Sequence, residues 1–292
     1  MRVRVPVATL WVSPDRPRDV DAPALADAPD IAAWLAALDS HQDDSRSGNG
    51  RLGLQGRVQS QVLAGEPVTV VGTDPDQPGW VAVVCPWQPS SRDPRGYPGW
   101  LRLAHLAADG SESTNAPDNT GGTGGTDSPD RADSPDHTES TRSTGEAGAA
   151  EADESEAPLS QLRLDGRSSR ADVGRSDLAL ARGYLGLPYL WGGLSPAGLD
   201  CSGLVHFVHR RLGRLLPRDA HDQQAATTPI DPADARPGDL YFFARSGGPA
   251  HHVGIVTDGY RMIHASETRA VVEEPIDERR AASLSGAGRI PV

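Results

Sequence analysis

Large apolar side chains recur along this chain with two different periods, and one long stretch between them has none. From Cys201 onward, Leu204, Val208 and Leu212 fall every four residues with Val205 alongside, the stripe of a helix packed on a core, and Cys201 sits in its first turn. Farther on, His251-His252-Val253-Gly254-Ile255-Val256 and Arg261-Met262-Ile263-His264-Ala265 read as two short strands around Thr257-Asp258-Gly259. Toward the N-terminus, Val3 to Val12 is apolar and β-branched, and Ile31 to Leu38 suits a helix around Trp34. Val68 to Val71, Trp80 to Cys85 and Gly99 to Leu103 are strand candidates between Gly, Pro and Asp turns, the pattern of a small barrel.

The stretch with no Val, Ile, Leu, Met or aromatic residue runs from Ala107 to Pro158 and is rich in Gly, Thr, Ser, Asp and Glu. It cannot bury enough apolar surface to offset chain entropy, so a disordered, solvated tether is expected there. This divides the 292 residues into 1–106, a small β domain; 107–158, the tether; and 159–292, a second domain. Residues 109 to 157 hold 13 acidic and 2 basic side chains, so nearly all of the net charge of −12 belongs to the tether. The rest is almost neutral, which speaks against a basic nucleic-acid-binding face. With only two cysteines there is no disulfide framework, and Cys85, on a strand, reads as a buried structural thiol.

Cys201 is therefore the residue that carries candidate chemistry. Unpaired N–H groups and the dipole at a helix start favour a thiolate, although a lone cysteine is also compatible with plain core packing. What the hairpin can add depends on its register. A two-residue Asp258-Gly259 loop would set Val253 opposite His264 and send His252 and His264 to opposite faces. A three-residue loop with Gly259 left-handed sets His252 opposite His264, and this is the favoured reading. One face then carries His252, Gly254 and His264, while Val253 and Ile255 face the core, which selects His252 over His251 as base. Thiol, base and orienting group make the generalised triad of a cysteine hydrolase. No Cys-x-x-Cys or His-x-x-x-His spacing supports a metal, and no cofactor is expected.

The runs P-Y-L-W-G-G-L-S-P-A-G-L-D-C-S-G-L-V (Pro188 to Val205), L-P-R (Leu216 to Arg218), R-P-G-D-L-Y-F-F (Arg236 to Phe243), H-V-G-I-V (His252 to Val256) and M-I-H-A (Met262 to Ala265) resemble the NlpC-type family of papain-like cell-wall peptidases. The resemblance covers about residues 173–292. It implies an α+β fold, with the cysteine helix packed on an antiparallel sheet, and hydrolysis of γ-D-glutamyl bonds in peptidoglycan stem peptides. By it Cys201 is nucleophile, His252 base and His264 the residue that orients the base. Tyr189 would line the cleft and help an oxyanion site, and Asp200 and Ser202 would lie near the substrate's amino side. Asp200, next to the nucleophile, opposes a thiolate unless it is itself paired. Trp191 reads as aromatic core.

Gln59 to Val68, Gly79 to Val83 and Arg95 to Leu101 are similar to the bacterial SH3-like domain that precedes the peptidase in one branch of that family. That branch resembles γ-D-glutamyl-L-diamino-acid endopeptidases acting on stem peptides with a free N-terminal L-alanine. It implies that Glu66 joins Asp200 and Ser202 around the α-ammonium, with Tyr97 bordering the subsite. An uncharged extension would leave such carboxylates buried and unpaired. Members of the branch commonly carry a second SH3-like domain, and the acidic tether and Leu159 to Arg175 stand in its place here.

The N-terminal M-R-V-R-V-P-V-A-T-L-W-V is short, interrupted by Pro6 and followed by charge, so it reads as a first barrel strand rather than a signal. No stretch is long enough to span a membrane, so no membrane insertion is expected. The expectation is a cytoplasmic enzyme recycling wall peptides, with the cell envelope or secretion as the alternative. The expected partners are peptidoglycan stem peptides, and the sequence sets no oligomeric state. Two other functions fit the same residues: a papain-like amidase or acyltransferase that keeps Cys201 and His252, and a wall-binding adaptor with an inactive peptidase domain.

Overall fold

The computed structural model describes residues 1–41, 45–108, 170–267 and 269–291, so the tract read as a tether lies, from residue 109, outside the described residues. Among the described residues the chain folds as antiparallel sheets with helices against them, the α+β class, and no helix is long and apolar enough to cross a membrane.

The apolar run at Val3 is split near Pro6, which has no N–H for a ladder, into β1 (Arg2–Val3) and β2 (Val7–Trp11). After α1 (Ala22–Leu25) comes α2 (Ile31–Ser40), capped by Asp30, whose carboxylate accepts from Ala33 N at 2.8 Å. There follow β3 (Val58–Leu63), β4 (Thr69–Thr73), β5 (Trp80–Cys85), β6 (Tyr97–Arg102) and β7 (Leu106–Ala107). The sheet order is β3-β2-β6-β5-β4, and β1 pairs with β7. Alternation along these strands buries Leu10, Val62, Val83 and Leu101 in one core with Cys85, a free thiol that burial pushes up.

The C-terminal part begins with α3 (Arg170–Arg182), the short pair β8 (Leu194–Ser195) and β9 (Gly198–Leu199), α4 (Cys201–Arg211) and α5 (Ala220–Ala225). Then come β10 (Thr228–Ile230), β11 (Leu240–Ala244), β12 (Ala250–Asp258), β13 (Arg261–Ala265), β14 (Val271–Pro275), α6 (Glu278–Ala281) and β15 (Leu284–Arg289). The strands order as β10-β15-β11-β12-β13-β14. The stripe Leu204, Val205 and Val208 of α4 shares a core with Val253, Ile255 and Ile263, each side chain contributing roughly 1.5–3 kcal/mol of burial. That packing brings the helix start to the N-terminal half of β12.

The hairpin differs from the favoured register. Asp258 pairs with Arg261 across a two-residue Gly259-Tyr260 loop, with Tyr260 left-handed at φ 54° and a bulge between Val256 and Asp258. Ile255 pairs with Ile263, so His264 falls opposite Gly254, where an added Cβ would lie 3.2 Å from the His264 Cβ. The ladder is displaced by two residues, and a displacement of two preserves the face. His252 and His264 therefore still share one side, diagonal to each other.

The N-terminal sheet and the C-terminal part belong to one compact unit. Trp11, Trp34, Leu38, Leu54 and Val58 cluster with Leu190, and Trp191 Nε1 donates to Val58 O at 3.1 Å. Gly192 is left-handed at φ 74° and lies so close to Val58 that a Cβ would stand 2.6 Å from its Cγ1, so the approach of β3 to this loop requires glycine.

Candidate active site

Cys201 is the first residue of α4 and Asp200 its N-cap, the Asp200 Oδ1 accepting from Gly203 N at 2.6 Å. Asp200 is paired within the protein. Arg218, 1% exposed, grips it with two bonds, NH1 to Oδ1 at 2.9 Å and NH2 to Oδ2 at 2.7 Å, and Gly192 N donates to Oδ2 at 2.8 Å. The same guanidinium donates to Ser202 Oγ at 3.1 Å and to Ser60 Oγ of β3 at 2.9 Å. Asp200 and Ser202 are thus both held by Arg218 while they line the same cleft as Cys201.

The expected thiolate needs correction. Burial, and then the Asp200 carboxylate, push the Cys201 thiol up to about 12, against the pull of the backbone N–H groups of Val253 and Ser202. Loss of hydration outweighs the helix end, so the resting residue is a neutral thiol.

His252 is buried on β12, whereas His251 beside it is exposed. Its Nε2 lies 3.0 Å from His264 Nδ1, and His264 Nε2 lies 3.1 Å from Glu274 Oε1 on β14. Arg269 holds the other Glu274 oxygen at 2.9 Å. Burial, with His264 and Arg280 adding, holds His252 well below the usual imidazole range; burial and Arg280 lower His264 too, opposed by Glu274. Both rings are neutral near pH 7, and the donor inventory then fixes their tautomers. A carboxylate only accepts, so His264 carries its proton on Nε2; its bare Nδ1 accepts from His252 Nε2–H; and His252 Nδ1 is left with a lone pair.

Tyr97, Tyr189, Asp200, Cys201, Ser202 and Asp219 line one cleft of about 430 Å³. Tyr97 reaches it from β6, its hydroxyl donating to Asp219 Oδ2 at 2.9 Å. Burial raises Asp219, opposed by Arg218 and by that hydroxyl, and burial raises Tyr189. Trp191, read as core, is half-buried and also lines the cleft. Glu66 is not part of its walls. The side chain is buried in the turn between β3 and β4, 2.7 Å from Arg210 NH1 and accepting from Leu63 N at 3.0 Å, with burial raising its carboxyl. Its predicted place at the ammonium subsite is corrected by that pairing.

Sequence reading missed Arg218, Asp219 and Glu274. The first two stand in and beside the quoted L-P-R run, which marks a landmark but says nothing of a reach back to Asp200. Glu274 follows Val272, the partner of His264, by two residues on the same strand face, and only the ladder reveals that. Among the described residues, Asp219, His221 and Asp222 are grouped closely enough to hold an ion. Asp219 accepts from Tyr97 and Asp222 Oδ2 from Ser91 N at 2.9 Å, so both carboxylates already have protein partners.

A family model for the NlpC/P60 family matches residues 186–284. The γ-D-glutamyl-L-lysine dipeptidyl-peptidase of Bacillus subtilis (strain 168) is 33% identical over 277 residues, spanning 91% of this chain and 90% of that one. The protein of the same name from Bacillus cereus (strain ATCC 10987 / NRS 248) is 28% identical over 295 residues, spanning 93% and 84%. The crystal structure of an NlpC/P60 family protein from Bacillus cereus ATCC 10987 matches with a TM-score of 0.71 at 23% identity over 99% of each chain, a likeness of fold.

Proposed function

The chain belongs to the NlpC/P60 family of cell-wall peptidases and is a cysteine peptidase, and we propose that it cuts the γ-D-glutamyl–L-diamino acid bond of stem peptides with a free N-terminal L-alanine. The observation that carries the catalytic roles is the hydrogen-bonded line His252–His264–Glu274, with the Cys201 thiol at the helix end 3.9 Å from the backbone oxygen of His251, the residue before the base. In this reading His252 Nδ1 takes the thiol proton as Sγ attacks the γ-carbonyl carbon. Neutral thiol and neutral imidazole become a sulfur-bound tetrahedral oxyanion and an imidazolium only as the bond forms, and the oxyanion collapses to a thioester, which suits a dry site. Backbone N–H groups at the start of α4, with the Tyr189 hydroxyl, face the oxyanion. Collapse passes the proton to the leaving amine, and water, deprotonated by His252, releases the acyl group.

Glu274 acts as a positioning residue through the tautomers. In Glu274→Gln the amide can donate to His264 Nε2, which favours His264 Nδ1–H and shifts the His252 proton onto Nδ1. The expected loss is about 10²–10⁴ in kcat with the melting temperature near native, the scale seen when a triad base holds the wrong tautomer. An unchanged kcat would remove Glu274 from the mechanism.

Support for a free amine comes from the Asp219 carboxylate with Tyr97 at the cleft, and for the bond from the names of the two Bacillus relatives. Incubation with L-Ala-γ-D-Glu-L-Lys, its diaminopimelate counterpart and their N-acetyl forms, read by product mass, tests both. Release of L-Ala-D-Glu from the free peptides alone is expected. Equal cleavage of acetylated peptide would overturn the amine requirement, and no cleavage at the γ-bond would overturn the substrate.

A further inference from the structure

His252 does not line the cleft that holds Cys201. It lines a second one, of about 470 Å³, which shares His251 with the first and continues past the base to Phe243, Glu274, Arg280 and Ser283. The placement has a chemical meaning if the proposed function holds. The imidazolium must hand its proton to the leaving nitrogen, so the leaving group lies against the base, and the acyl side, with Asp219 and Tyr97, lies on the other side of the nucleophile.

Arg245, Arg269, Arg279 and Arg280 all line this second cleft, and among them Arg280 is the one held over an aromatic ring. It sits on α6, half-buried, with its guanidinium 5.7 Å from the Phe243 ring centroid, and Phe243 in turn packs 5.7 Å from the His252 ring. Among the described residues no carboxylate oxygen lies within ion-pair distance of it. Two of the acids of this cleft are engaged elsewhere: Asp277 Oδ1 caps α6 by accepting from the Arg280 backbone N–H at 2.7 Å, and Glu274 is held by His264 and Arg269, while Glu267 lines the cleft without reaching Arg280. An arginine held over a ring at the wall of a cleft, with no acid of the described residues on its fork of donors, presents a geometry suited to a carboxylate.

We propose that Arg280 anchors a carboxylate of the leaving diamino acid. The diamino acid offers two such groups: its α-carboxylate, free when it ends the peptide, and the side-chain carboxylate present in diaminopimelate but not in lysine. The Arg280 charge is also among the influences that hold His252 below its usual range. A carboxylate bound there cancels that field and makes the base stronger, so the contact affects kcat as well as KM.

This inference rests on the proposed substrate, and the test separates the two. The full chain is assayed on L-Ala-γ-D-Glu-L-Lys, on its C-terminal amide, and on the diaminopimelate tripeptide as its α-amide, which keeps only the side-chain carboxylate. If the α-carboxylate is the one held, the lysine acid is expected to be cut roughly tenfold or more faster than both amides, the scale of a charge-assisted hydrogen bond. If the side-chain carboxylate is held, the diaminopimelate amide is cut faster than both lysine peptides by a similar factor. In Arg280→Gln that ratio is expected to fall toward one, and in Arg280→Lys to be partly retained. Equal rates on all three substrates with the native chain, or a ratio unchanged in Arg280→Gln, overturns the anchor and leaves the function standing. Cleavage of none overturns the function and the anchor with it.

Discussion

Helix α4 has a buried ion pair at each end, and the two pairs hold different things. At the N-terminus Asp200 and Arg218 close on each other beside the Cys201 thiol, with three bonds to one carboxylate oxygen and two to the other. At the last turn Arg210 meets Glu66, at 2.7 Å, and lies 5.2 Å from the Trp87 ring centroid, joining the helix to the N-terminal sheet. The comparison shows that a carboxylate beside a nucleophile need not serve the substrate. Asp200 caps the helix beside a thiol, and Arg218 answers it with two hydrogen bonds. Glu66, read from its motif as a substrate ligand, docks one part of the chain onto the other.

The largest effect expected from breaking this contrast is in Arg218→Met. It leaves Asp200 buried and unpaired, a loss of about 3–5 kcal/mol, and turnover falls as the site loses its frame. Urea unfolding alongside kcat/KM measures both, and a variant as stable as the native chain would show that the pair does not hold the helix end.

Between the two pairs, His206 and His209 are wholly buried, burial holding His206 down to about 3 and His209 well below the usual imidazole range. The folded chain keeps both neutral while the unfolded chain protonates near pH 6.5. Their contribution is therefore full above about pH 6.5 and lost as pH falls below it, by about 1.4 kcal/mol per pH unit for each ring. Denaturant melts between pH 7.5 and 5 should show that slope, and a flat profile would contradict it.

Glu66→Gln sharpens the contrast from the other end. Arg210 loses its carboxylate but keeps the aromatic ring, so stability should fall by about 1–3 kcal/mol. The turnover number should stay near native, and a collapse of kcat in a folded variant would return Glu66 to the site. The smallest effect is on reactivity: alkylation of Cys201 by iodoacetamide should rise about tenfold per pH unit from pH 6 to 9 without a plateau. A flat rate across that range would mean a preformed thiolate.

Much of this was legible from periodicity. The strand Trp80–Cys85 and the start of α4 fall where alternation and the four-residue stripe put them. The face shared by His252 and His264 was legible even though the loop was misread, because side-chain direction has a period of two and the ladder moved by two. The partners of Asp200, Glu66 and His264 were not. Arg218, Arg210 and Glu274 meet them through packing between distant segments, and no local pattern encodes which cation will reach a given carboxylate.

The account stands most directly on Cys201 as nucleophile. Turnover of L-Ala-γ-D-Glu-L-Lys by Cys201→Ala, with unfolding measured on the same preparation, is expected to fall by at least about 10⁴-fold while the fold is kept. Residual activity within tenfold of native in that folded variant would contradict it.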